Sequence, residues 1–118
     1  MSYRIGYGLS GNVLTATISG SCPTPGILAR EIARQARENS ASYLLVDVRG
    51  LKDRAGRVQE LLTDRSIPGR IAVVDTPENE RLYTFAEIDA AHRGCVLKRF
   101  DDPEAALKWL WEFPSSGR

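Results

Sequence analysis

Tyr43-Leu44-Leu45-Val46-Asp47-Val48 is the stretch on which the fold turns, an apolar run broken only by Asp47. Such a run suits a strand covered on both faces, as in a parallel sheet, rather than a strand with one wet side. Arg70-Ile71-Ala72-Val73-Val74-Asp75 repeats the pattern, and Cys95 to Phe100 supplies a shorter last strand. Upstream, Tyr3 to Leu9 and Val13 to Ser19 alternate around the turn Ser10-Gly11-Asn12, which predicts a hairpin. Arg49-Gly50-Leu51 reads as an exit turn, and Ser19-Gly20-Ser21-Cys22-Pro23 as a loop.

Helices fill the gaps between these strands. Thr24-Pro25 opens the first, with Thr24 as cap and Leu28, Ile32 and Ala36 recurring on one face opposite Arg30, Arg34, Arg37 and Glu38. A second is expected over Gly56 to Thr63 with Val58, Leu61 and Leu62 inward. Thr76-Pro77-Glu78 opens a third that closes at Gly94, and Asp102-Pro103-Glu104 a fourth carrying Ala106, Trp109, Leu110 and Phe113. The order β-β-α-β-α-β-α-β-α predicts an α/β fold with a mixed, mostly parallel sheet and the first strand antiparallel at or near an edge. Residues 1–113 read as one domain and 114–118 as a fraying tail.

Composition narrows the function classes. The chain has 118 residues, 42% hydrophobic and 26% charged, with a formal net charge of +1. That balance gives no global field toward nucleic acid or an anionic membrane. The amino terminus lacks the apolar core of a signal peptide, no run is long enough to span a bilayer, and Cys22 and Cys95 are expected as free thiols. A cytoplasmic setting follows as the expectation.

Three segments carry a family resemblance: Leu44 to Leu51, Arg70 to Val74, and Phe100-Asp101-Asp102-Pro103-Glu104-Ala105-Ala106-Leu107-Lys108-Trp109-Leu110. Together they resemble the SpoIIAA-like branch of the STAS (sulfate-transporter and anti-sigma-factor-antagonist) superfamily. The resemblance implies a small regulatory or binding domain without catalysis, cofactor or metal, acting through a protein partner or its own copy. In anti-sigma antagonists a serine in an Asp-Ser-Ser-Gly turn is phosphorylated. The matching segment here is Asp53-Arg54-Ala55-Gly56, so both serines are replaced and that switch does not carry over.

Candidate sites gather where open α/β sheets bind, beyond the carboxyl ends of the strands. Ser21, Cys22 and Thr24 precede a helix and could hold an anion, although capping by Thr24 and a half-buried loop Cys22 are the simpler readings. Asp47 and Asp75 end neighbouring strands and could converge on a divalent metal in an enzyme, against a simpler ion-paired or turn-forming role. Asp53, Arg54 and Arg57 could form an exposed patch for a partner protein or an anionic ligand, against the simpler reading of a solvated helix start. Phe85, Ile88 and Phe100 would line an apolar pocket if the domain carried a lipid-like ligand. His92 closes the third helix without a partner for triad chemistry. Trp111 falls off the core stripe of the last helix and is the candidate for self-association in a homodimer.

Overall fold

The computed structural model describes residues 3–21, 25–52, 70–92 and 94–112. β1 (Tyr3–Ser10) and β2 (Val13–Gly20) form the hairpin, with Ser10 opposite Val13 and Tyr3 opposite Gly20. Gly11 makes the turn at φ 63°, a left-handed conformation that glycine adopts without a Cβ clash. α1 (Pro25–Glu38) leads to β3 (Tyr43–Leu51), and β4 (Arg70–Val74) follows. A 3-10 turn (Pro77–Asn79) enters α2 (Glu80–His92), then come β5 (Val96–Phe100) and α3 (Pro103–Glu112). The sheet order is β1-β2-β3-β4-β5, antiparallel between the first two strands and parallel thereafter. The mixed sheet and the edge hairpin are those expected from sequence. The helix expected over Gly56 to Thr63 and the tail at 114–118 lie outside the described residues.

The apolar runs are explained by two cores. Alternate β3 residues serve opposite faces: Leu44, Val46 and Val48 join Leu14, Ile18, Ile71 and Val73 on the first face, under Leu28, Ile32 and Ala36 of α1 and Tyr83 and Ala90 of α2. Tyr43 and Leu45 join Val13, Ala72 and Val74 on the second face, under Ala106 and Leu110 of α3. Trp109 packs against the rim of this second core, on the side the expected core stripe gave it. It lies half-buried on a flank of α3, its ring tilted against Phe100 with centroids 5.4 Å apart. Among the described residues, no helix is long and apolar enough to cross a membrane.

Strand ends run further than composition suggested. Ser19 and Gly20 are strand because they pair with Gly50 and Leu51, so Arg49-Gly50-Leu51 is strand as well, not an exit turn. Between Thr17 and Ser19 the register slips by one residue, the mark of a bulge in β3. Gly50 eases the close approach there: a Cβ would sit 3.0 Å from the Ser19 Cβ and 3.2 Å from the Ile18 carbonyl oxygen, so a larger residue would push the strands apart by a few tenths of an ångström. Helix boundaries follow the punctuation residues. The Ala105 amide donates to Asp102 Oδ2 at 3.1 Å, an N-cap, and Gly94 closes α2 at φ 81° as Cys95 N donates to the Ala90 carbonyl at 2.8 Å. Thr76-Pro77 starts a 3-10 turn instead of opening the α-helix directly.

Where β1 meets α1, the Tyr7 hydroxyl is buried with no hydrogen-bond partner among the described residues. Burial first, then the charge of nearby Glu31, pushes the Tyr7 phenol from 10.0 up to about 12. Because the folded state resists ionisation, its contribution is complete below pH 10 and is lost as pH rises toward about 12. Tyr7→Phe should flatten that alkaline loss in a thermal-melting series. It should also leave neutral-pH stability unchanged or raise it by up to about 1 kcal/mol, since a buried hydroxyl without a partner is removed.

Candidate functional site

The carboxyl ends of the parallel strands bring together Ser21 after β2, Asp47 to Lys52 at the end of β3, Asp75 and Thr76 after β4, and Asp101 and Asp102 after β5. Two polar clusters form there, one on each face of the sheet. The one-residue offset between neighbouring strands separates them: Asp47 is opposite Val74, so Asp75 is the next residue and points to the other side.

On the second face, Asp47 is nearly buried and clamped by Arg49. The guanidinium donates Nε to Oδ1 at 3.0 Å and Nη2 to Oδ2 at 2.8 Å, and the Arg49 amide donates to Oδ1 at 3.1 Å. This two-pronged geometry is the strong form of the pair. The hydrogen bond to Asp47, then its charge, and Asp102 to a lesser degree, hold the Arg49 pKa above its usual value. Asp47 is therefore consumed as an internal anchor, while Arg49 presents its outer edge to solvent.

On the first face, Asp75 is fully buried. The Tyr83 hydroxyl donates to Oδ2 at 2.6 Å, and the Thr76 amide and hydroxyl donate to Oδ1 at 2.7 and 3.3 Å. Arg99 locks the same corner from β5: its Nη1 donates to the Asp75 carbonyl at 2.9 Å and to Asp101 Oδ1 at 2.6 Å. Asp75 thus ties the end of β4 to α2 and β5. A shallow cleft of about 230 Å³ opens beside it, lined by Tyr83, Thr84, Glu87, Lys98 and Arg99.

These placements correct two expectations. Asp47 and Asp75 do not converge on a metal, because they project from opposite faces and each is already engaged by donors. The apolar pocket is not assembled either: Phe85 and Ile88 lie on the outer side of α2, 67% and 52% exposed, whereas Phe100 packs with Trp109 under the opposite face. The helix turns Tyr83 and Ala90 inward instead. Ser21 is half-buried at the end of β2, and Cys95 is a half-buried free thiol against the first core. His92 is exposed at the end of α2, and Trp111 is 56% exposed, as its position off the stripe implied. Cys22, Thr24, Asp53, Arg54 and Arg57 lie outside the described residues. Asp101 lies in the strand-end segment Phe100 to Asp102 that the sequence marks, whereas Tyr83 and Arg99 went unread; the local signal for Arg99 was the basic pair Lys98-Arg99 beside the acids at the end of β5.

No protein-family model matches the sequence, and no curated protein matches it. Solved structures do. An anti-sigma factor antagonist from Mycobacterium paratuberculosis superposes with a TM-score of 0.62 at 13% identity, covering 94% of this chain and 96% of that one. The fold is SpoIIAA-like. A second match is an uncharacterised protein with a SpoIIAA-like fold from Shewanella loihica, at a TM-score of 0.54 and 20% identity over 92% of this chain and 93% of that one. On this SpoIIAA-like frame the two clamped aspartates sit at the end of the sheet where an open α/β fold receives ligands.

Proposed function

We propose that the chain is a non-catalytic regulatory module that docks a protein partner on the carboxyl end of its sheet. The observation that carries this reading is the near end-to-end likeness to an anti-sigma factor antagonist, at low identity. The local chemistry agrees with it. Asp47 and Asp75 are held by internal donors and serve the scaffold, while Arg49, Lys52, Asp101 and Asp102 face outward as a rim of mixed charge. A rim of this kind sets partner choice and association rate more than raw affinity.

In sequence the rim runs directly into Asp53, Arg54 and Arg57, which we assign to the same partner surface. Control by phosphorylation of a serine in that turn is absent from the proposal, since Arg54 and Ala55 occupy those positions. A cytoplasmic partner fits the free thiol at Cys95. The test is affinity capture with tagged wild type and with the Arg54→Ala/Arg57→Ala variant, each checked for an unchanged melting temperature. The variant is expected to lose the specific partner. A partner retained in full by the folded variant would remove the turn from the interface.

A further inference from the structure

β1 is the outer strand of the sheet, and its free edge is long and unguarded. Its eight residues pair with β2 in unbroken register, so the edge runs without a bulge for about 26 Å. It holds no proline and no lysine, the residues that commonly blunt such edges, and Arg4 is its single charge.

The hairpin ladder decides which backbone groups that edge presents. Gly11 and Asn12 close a two-residue turn, which makes Ser10 and Val13 a hydrogen-bonded pair. Alternate residues follow the same phase. Gly8, Gly6 and Arg4 turn their N–H and C=O groups to β2, while Leu9, Tyr7, Ile5 and Tyr3 turn theirs outward. The far side of β2 agrees with this phase: Gly20, the partner of Tyr3, accepts from the Lys52 amide at 2.8 Å on the β3 side. Among the described residues no strand pairs with the outward row.

Side chains add a pattern to this edge. On the first face, Ile5 and Tyr7 pack against the core, while Tyr3 and Leu9 are 37% and 53% exposed. On the second face, Arg4 is exposed and makes no ion pair among the described residues. With Tyr3, Ser19 and Gly20 it lines a polar pocket of about 320 Å³ at the start of the strand. The edge therefore offers an apolar row along its length and an unanswered positive charge at one end.

We infer that β1 receives an extended segment of a protein partner as an added antiparallel strand, with an acidic residue of that segment opposite Arg4. Antiparallel pairing is the more stable kind, and it brings the carboxyl-terminal half of the segment to Arg4 and its pocket. Arg4 then stands in a non-hydrogen-bonded pair, where facing side chains come closest and opposite charges attract. Apolar residues of the segment cover Leu9, Tyr7 and Ile5. Opposite Gly8 and Gly6 there is open space for any side chain. Main-chain bonds supply the affinity and the alternating side chains the specificity, as in other strand additions. A second copy is the poorer occupant, because β1 contains no acid to answer Arg4. The site goes beyond the charged rim proposed above and stands without it.

The test titrates the capped peptide acetyl-Val-Thr-Val-Thr-Val-Glu-Thr-amide into the isotope-labelled full chain, followed by amide chemical shifts and hydrogen exchange. The Ile5, Tyr7 and Leu9 amides are expected to shift and gain protection, with a Kd of about 1 mM or tighter. Arg4 is exposed and unpaired, so Arg4→Glu keeps its melting temperature. That variant, or glutamine in place of the peptide's glutamate, should weaken binding at least about threefold. A peptide with lysine at that position should restore binding to Arg4→Glu. No shift on β1 up to about 5 mM peptide overturns the inference. So do shifts confined to other strands, or binding indifferent to the charge swap. Protection of the β1 amides that rises with protein concentration alone would assign the edge to a second copy and overturn it too. A partner lost by Arg54→Ala/Arg57→Ala bears on the rim and leaves this outcome unchanged.

Discussion

Asp75→Ala is expected to cost about 3 kcal/mol of unfolding free energy, one of the two largest losses among single changes near the site. The carboxylate is fully buried and receives the Tyr83 hydroxyl at 2.6 Å and the Thr76 amide at 2.7 Å. Removing it strips a charge-assisted bond from Tyr83 and leaves a small void at the junction of β4, α2 and β5. Asp75→Asn keeps an oxygen acceptor and should cost about half as much. Tyr83→Phe removes the other half of the bond. A double-mutant cycle between Asp75→Ala and Tyr83→Phe should give a coupling of about 1–3 kcal/mol, read from denaturant midpoints at constant m. Additive losses would mean that the two side chains act independently. On the docking surface proposed above, the link fixes where the ends of β4 and β5, and hence Asp101 and Asp102, are presented.

Leu110→Ala should cost about 3–4 kcal/mol. Leu110 and Ala106 are the fully buried residues of α3, and both enter a second core made of Val13, Tyr43, Leu45, Ala72 and Val74. Leu110 packs there among buried residues of β2, β3 and β4, and a close-packed interior relaxes only partly into a cavity. Trp111→Ala, one residue on, should change the stability of dilute protein by no more than about 0.5 kcal/mol. Guanidinium unfolding of the two variants separates these outcomes, and equal losses would show that the inward phase of α3 is misassigned.

The two-faced apolar runs made the parallel sheet readable, because a strand feeding two cores cannot alternate. Gly11, Gly94 and Asp102 were readable for a similar reason: turn and cap chemistry is local. The inter-strand register was not. Whether Asp47 meets Asp75 depends on a single residue of offset between β3 and β4, which tertiary packing decides. Tyr83 escaped notice because a 3-10 turn lies between Asp75 and α2 and resets the helical phase. Phe85 and Ile88 read as interior by their apolar character, yet the helix presents Tyr83 and Ala90 to the sheet and leaves them outside. Gly50 read as a turn residue because a lone glycine after a strand signals an exit, while its actual role is to let β2 and β3 approach at a bulge.

The most direct measurement is site-specific photo-crosslinking in the native host, with a photoreactive residue at Lys52 on the rim and, in a second protein, at Glu87 beside the α2 cleft. Docking at the carboxyl end of the sheet predicts a discrete heavier adduct from Lys52 and none from Glu87. An adduct from Glu87 alone would contradict the account and move the partner surface to α2.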